Sequence, residues 1–224
     1  MKALSIAAAL LLASGVAQAD PIFTEDFDDI TTLAGDGWAL INNSTAGGQT
    51  SWFQGNDGVF SAYEGSDNSY IAANFLNAGA GGQISNWLIT PLLTLNEASY
   101  LTFYTRRNDS EFFDSLEVRF TTSDSINVGS SANDVGDFTS MGMVEVLLAG
   151  ADYPLDWVQV RVTFGDIGFG NGRIALRYVV DNTDLNGDYI GIDSLTVGVP
   201  EPTSLAVLGL GVFGLLAARR RARV

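Results

Sequence analysis

Four segments of this chain alternate apolar and polar residues with a period of two, and this pattern limits the available folds more than any other feature. Val158, Val160, Val162 and Phe164 alternate with Gln159, Arg161 and Thr163, and Ile174, Leu176, Tyr178 and Val180 alternate with Ala175 and Arg177. Leu101, Phe103 and Thr105 are separated by Thr102 and Tyr104; Leu116, Val118 and Phe120 are separated by Glu117 and Arg119. Successive side chains of an extended strand point to opposite faces, so this period predicts strands with one buried and one polar face. Further strands are expected near 22–27, 38–42, 69–76, 85–95, 143–149 and 189–197. No stretch between Asp20 and Gly198 has the spacing of a long amphipathic helix. Ala46-Gly47-Gly48, Asn56-Asp57-Gly58 and Asn186-Gly187 supply turn residues that tolerate positive φ. About ten short strands at irregular spacing predict an all-β protein, a two-sheet jelly-roll sandwich rather than a propeller or repeat array.

The two ends are of a different character. Met1-Lys2-Ala3 precedes an apolar run from Leu4 to Val16 and then Ala17-Gln18-Ala19. One positive charge, a short apolar core and small residues before a cut site read as a secretory signal peptide over 1–19, cleaved after Ala19 by signal peptidase. The run is too short to span a bilayer, which takes about 20 residues. At the other end Val199-Pro200-Glu201-Pro202 is followed by an apolar segment, Leu205 to Ala218, and by Arg219-Arg220-Arg221-Ala222-Arg223. The prolines keep the approach extended. A helix over Thr203–Ala218 would cover about 24 Å, short for a hydrocarbon core of ~30 Å unless the arginines snorkel. The arginines place this end on the cytoplasmic side of the inner membrane. The order Pro-Glu-Pro (Pro200, Glu201, Pro202), apolar helix, basic end over 199–224 resembles the PEP-CTERM sorting signal of Gram-negative bacteria. That resemblance implies an exosortase that cuts near the motif and delivers the chain to the envelope or extracellular matrix. A plain tail anchor in the inner membrane is the alternative.

Between the ends, residues 20–198 suit a single domain. They hold six Arg, no Lys and 25 of the 26 carboxylates, a formal charge of −19. Such a surface repels nucleic acid and anionic head groups. It attracts divalent cations, or simply maintains solubility. The chain has no Cys and no His. Disulfides are impossible, Ser-His-Asp and Cys-His nucleophile systems are excluded within the chain, and zinc sites lose their usual ligands.

Several segments in order resemble the choice-of-anchor J domain, itself similar to cleaved-adhesin and MAM-like jelly rolls. They are Phe23-Thr24-Glu25-Asp26-Phe27-Asp28, Gly37-Trp38, Trp52-Phe53-Gln54-Gly55-Asn56, Asn68-Ser69-Tyr70-Ile71-Ala72-Ala73-Asn74-Phe75 and Ser85-Asn86-Trp87-Leu88-Ile89-Thr90-Pro91. Leu101-Thr102-Phe103-Tyr104, Asp114-Ser115-Leu116-Glu117-Val118-Arg119 and Ile190-Gly191-Ile192-Asp193-Ser194-Leu195 complete the order. The resemblance implies a β-sandwich, an extracellular setting and no known reaction. It also implies a structural calcium near the first and last strands, where Glu25, Asp26 and Asp193 would supply oxygens; Asp114 and Asn74 lie in other motifs and are weaker candidates. Many relatives carry a second acid after the closing Asp, where this chain has Ser194. The competing role for these residues is to cap turns through hydrogen bonds to the backbone.

Asp181 to Asp188 is similar to part of a calcium loop, but it lacks the EF-hand spacing and closing Glu, and Asn186-Gly187 favours a polar hairpin turn. Trp38, Trp52, Trp87 and Trp157 divide between core packing, the usual fate of large aromatics, and a sugar-stacking surface. Trp52-Phe53 sits among polar residues and is the pair expected to be exposed and to bind a ligand. The reading that follows is a non-catalytic adhesion or exopolysaccharide-associated module whose partner is a glycan or surface protein. A purely structural envelope protein and a two-carboxylate carbohydrate-active enzyme are the alternatives.

Overall fold

A computed structural model describes residues 21–199 apart from 46, 97, 139–146 and 165–169. The expected signal peptide with its cut site at Ala19, the motif Pro200-Glu201-Pro202 and the apolar tail lie outside the described residues. Among the described residues no helix is long and apolar enough to cross a membrane.

The described residues form twelve strands: β1 (Pro21–Glu25), β2 (Ala39–Asn42), β3 (Phe53–Gln54), β4 (Ile71–Asn74), β5 (Ile84–Ile89), β6 (Leu93–Leu95), β7 (Tyr100–Arg107), β8 (Ser115–Thr121), β9 (Leu147–Ala149), β10 (Val158–Thr163), β11 (Gly170–Val180) and β12 (Tyr189–Gly198). They build two six-stranded antiparallel sheets. One has the order β10-β7-β12-β4-β3, with β1 also on β12; the other has the order β2-β5-β11-β8-β9, with β6 also on β11. Each sheet is organised by one long strand whose edge is shared by two short ones. The second residue set of β12 pairs with β1 (Glu25↔Leu195) and its first with β4 (Ile71↔Ile192). Likewise β11 pairs with β6 (Gly172↔Leu93) and then β5 (Ala175↔Ile89). Pro91, which has no N–H to give a ladder, falls between β5 and β6 and divides the strand expected over 85–95.

The alternating apolar residues fill the space between the sheets. Ile174, Leu176, Tyr178 and Val180 of β11 meet Leu101 and Phe103 of β7 and Ile190, Ile192, Leu195 and Val197 of β12 in one buried cluster. This all-β sandwich is the architecture the period-two pattern predicts. The unit Pro21–Val199 is compact by itself and holds the three buried apolar clusters of the described residues.

The expected hairpin at Asn186-Gly187 requires correction. β11 and β12 belong to different sheets, so residues 181–188 carry the chain across the sandwich. Gly187 does adopt positive φ (86°) there. Local turn chemistry is met, but both flanking strands need their apolar faces against the core, and they meet it from opposite sides.

The outer faces also depart from the simple alternation, because each is covered by a long loop. Residues 55–70 lie over the β12 sheet and bury Phe60, Tyr70 and Tyr189 against Ala72. Residues 122–138 lie over the β11 sheet and bury Trp87, Ile89 and Ala175 beneath Val128 and Phe138. The polar residues of that face are buried with them. Arg177 and Arg119 bind the Glu117 carboxylate at 3.0 and 2.6 Å. Arg177 also donates to Ser85 Oγ and to the Ala132 carbonyl. Burial pushes the Glu117 carboxyl up, but the hydrogen bond from Arg119 and the charge of Arg177 outweigh it and hold the group below its usual range.

Gly191 of β12 shows how tightly the aromatic layer sits. A Cβ there would lie 2.8 Å from Trp157 Cη2, 2.9 Å from Phe60 Cε2 and 3.0 Å from a Tyr70 ring carbon. Gly191→Ala is therefore expected to destabilise the protein by about 1–3 kcal/mol through overpacking, measured as a lower urea midpoint with an unchanged slope.

Candidate functional site

The candidate site lies on the outer face of the β12 sheet and is organised by Asp193. Between Asp193↔Tyr104 and Thr196↔Thr102, β12 spends three residue steps against two in β7, a β-bulge. Ser194 in the bulge takes a positive φ of 48° and donates its N–H to Asp193 Oδ1 at 2.6 Å. The other oxygen, Oδ2, accepts the N–H groups of Tyr63 (2.8 Å) and Glu64 (3.2 Å). The fully buried Asp193 thus fastens the loop at 55–70 to the sheet, directly beside its cross-strand neighbour Tyr104.

Fastened there, Tyr63 stacks on Tyr104 with ring centroids 3.5 Å apart and planes inclined by 13°, while 44% of Tyr63 stays exposed. Four residues along β7, the Arg161 guanidinium lies 3.7 Å from the centroid of the Tyr100 ring. Gln159 stands opposite Tyr104, Arg161 opposite Thr102, and Thr163 opposite Tyr100. Gln159, Arg161 and Thr163 are exposed. The face therefore presents two planar groups, each backed by a ring, with amide and hydroxyl groups around them. Flat rings offer a negative π face to the C–H groups of a ligand, and rings already held in a stack lose little freedom on binding.

The expected site residues take other positions. Trp52 is 5% exposed and belongs to the main core, and its indole Nε1 is buried. Phe53 is half-buried against Tyr189. The expectation of an exposed Trp52-Phe53 pair is corrected: Trp52, just before β3, turns into the core, and Phe53 packs under the loop. Gln54 beside them holds the local structure; its amide donates to the Phe27, Asn68 and Tyr70 carbonyls and accepts from the Ile30 N–H. Glu25 accepts from the Phe27 N–H at 2.9 Å, and Asp26 is exposed. Glu25 pairs with Leu195, two residues from Asp193 along β12. Among the described residues no group of three or more acidic side chains is arranged to hold a metal ion. Asn74 caps the turn at Phe75–Asn77 by accepting from the Leu76 N–H.

Asp114 is fully buried in the other sheet's region. Its Oδ1 accepts from the Tyr178 hydroxyl (2.6 Å) and the Asp188 N–H (2.9 Å), and its Oδ2 is buried without a hydrogen-bond partner. Burial pushes this carboxyl up to about 6 against the hydrogen bond from Tyr178. Burial likewise pushes Asp193 up to about 6 against the N–H groups of Glu64, Tyr63 and Ser194. These acids support loops and strands rather than opening into a shared cleft. Sequence reasoning missed Tyr63, Tyr104 and the Tyr100–Arg161 pair; the signal open to it was the polar, aromatic side of the alternation in 100–106 and 158–164.

Residues 198–221 match the PEP-CTERM protein-sorting motif, so the chain carries a protein-sorting signal at its C-terminus. The fold is similar to the K1 cleaved adhesin domain of Lys-gingipain from Porphyromonas gingivalis, with a TM-score of 0.51 and 19% identity over 79% of this chain and 97% of that one. It is similar to the K2 cleaved adhesin domain of Lys-gingipain to the same degree, 0.51 and 19%, over 79% of this chain and 99% of that one. No curated protein sequence matches the chain.

The two raised carboxyls set a pH dependence. A carboxyl whose folded pKa of about 6 exceeds its ordinary 3.8 binds its proton more tightly in the folded state. Its stabilising contribution is fully present below the ordinary value and is lost as pH rises through 6. Stability is expected to increase by roughly 1–2 kcal/mol between pH 7.5 and 5.5 from the two groups together. Chemical denaturation at both pH values checks this, and Asp114→Asn should remove about half of the difference.

Proposed function

We propose that the chain is an exported, surface- or matrix-sorted module without catalytic activity that adheres to a glycan of the cell envelope or extracellular polymer. The observation that carries this reading is the exposed aromatic face of the β12 sheet, where Tyr63 stacks on Tyr104 beside Arg161 on Tyr100. The buried acids Asp114 and Asp193 support it, since each is engaged in hydrogen bonds that hold the scaffold. A two-carboxylate glycosidase would need two acids facing a bond between them. The similarity of the fold to cleaved adhesin domains and the choice-of-anchor J resemblance agree with an adhesive role.

In this reading signal peptidase removes residues 1–19 and an exosortase acts at Pro200-Glu201-Pro202, releasing the domain from a precursor held in the inner membrane of a Gram-negative cell. The domain charge of −19 keeps nucleic acid from being a partner. Replacing Pro200, Glu201 and Pro202 together by Ala is expected to leave the precursor in the membrane fraction at its full length.

For the adhesive role, the purified 21–199 unit is incubated with isolated extracellular matrix and with a panel of insoluble polysaccharides. Retention by the matrix or by any polysaccharide, reversed by a soluble form of the same polymer, is the expected result. No retention on any of them, together with unchanged adhesion of cells lacking the protein, would reject the adhesive role in favour of a purely structural one.

A further inference from the structure

We infer that the outer face of the β7–β10 edge is a binding platform for an extended, uncharged polysaccharide chain, and that Asp193 is the residue that assembles it. This rests on the adhesive reading and gives it a site and a ligand class.

Three observations lead to it. First, the face is built rather than incidental. Tyr63 comes from a loop and Tyr104 from a strand. They are stacked because Asp193 takes the Tyr63 and Glu64 N–H groups at the position paired with Tyr104. The same anchoring holds the loop over Phe60, Tyr70 and Tyr189, so the stack rests on a packed layer. Second, the face has two stations. Tyr104 and Tyr100 lie on the same side of one strand, four residues apart, which at ~3.3 Å per residue is about 13 Å. Tyr63 covers the first ring and Arg161 the second. Planar groups at that separation suit an elongated ligand that stacks at two points, and the side chains of Gln159 and Thr163 can bond hydroxyls between and beside them.

Third, charge selects the ligand. The domain carries −19 in total, and Glu64 follows directly on Tyr63. Arg161 is exposed and makes no ion pair among the described residues, but its guanidinium is committed to the Tyr100 ring. A polyanion would meet two cations, Arg161 and Arg106, each already set against a ring, in a strongly negative field, whereas a neutral chain meets stacking surfaces and uncharged hydrogen-bonding groups. The same field turns away single-stranded nucleic acid, which also stacks on Tyr and Arg.

The test is native affinity electrophoresis of the 21–199 unit in gels containing galactomannan, xyloglucan or mixed-linkage β-glucan as neutral polymers, and alginate or polygalacturonate as anionic ones. Retardation by at least one neutral polymer and by neither anionic polymer is expected. Tyr63→Ala and Arg161→Ala should each weaken that retardation roughly tenfold, about 1.4 kcal/mol, because each removes a stacking plane. Both side chains are exposed, so the thermal midpoint should stay unchanged. Phe112→Ala, at an exposed ring (49%) elsewhere on the surface, should bind as the parent does. Retardation that survives both Tyr63→Ala and Arg161→Ala would overturn this site while leaving the adhesive reading intact. Retardation by alginate or polygalacturonate alone would overturn the ligand class. Retention on isolated matrix with no retardation by any neutral polymer would overturn the inference in favour of a protein partner.

Discussion

The bulge in β12 at Asp193 and Ser194 is the point on which the exposed side of this molecule depends. An extra residue there lets one strand end its pairing with β4 and begin its pairing with β1 while staying hydrogen-bonded to β7 along the other edge. The bend turns the Asp193 carboxylate outward, where it accepts two backbone N–H groups of the covering loop and that of its own neighbour Ser194. That anchoring keeps residues 55–70 on the sheet, so Phe60 and Tyr70 can pack beneath them and Tyr63 can reach Tyr104. Gly191, two residues earlier, makes the same layer possible by having no side chain of its own.

The two outer faces meet one problem by different means. A sandwich sheet needs water or protein over its second face, and here a long loop covers part of each. On the β12 sheet the cover is aromatic: Phe60, Tyr70 and Trp157 meet edge to face or stacked, and the Tyr70 hydroxyl bonds Tyr189 and the Phe60 carbonyl. On the β11 sheet it is ionic, with Arg177 between Trp87 and Glu117 in neighbouring strands. Buried ion pairs add little net stability over apolar packing, but losing one partner strands the other charge, so the triad favours one loop position over alternatives. A chain without cysteine has no covalent staple for such loops, and these buried polar networks take that role.

Much of the scaffold was legible in the chain. Four of the strand positions follow from alternation, in segments such as 158–164 and 174–180, because the period of two is set by backbone geometry and needs no knowledge of partners. The short β3 was not legible: two residues carry no period, and Gln54 earns its place there through hydrogen bonds to Phe27, Asn68 and Tyr70 that are distant or unremarkable in sequence. Trp52 looked exposed because its neighbours are polar, yet those neighbours turn the opposite way from a ring that enters the core. The crossing at 181–188 read as a hairpin because Asn-Gly reports the local turn and not which sheet receives the next strand.

By itself the sequence determined what depends on local chemistry and on sums. It marked the C-terminal end as a sorting segment, made the middle an acidic all-β domain, and removed histidine and cysteine chemistry from consideration. The tertiary structure alone decided which sheet each strand joins, that the polar side of β8 and β11 would be buried, and that Asp193 would hold a loop so that Tyr63 rests on Tyr104. Those outcomes rest on contacts between residues as far apart in the chain as Pro21 and Gly198, and their energies come from burial and geometry that exist only once both sheets have closed on the core.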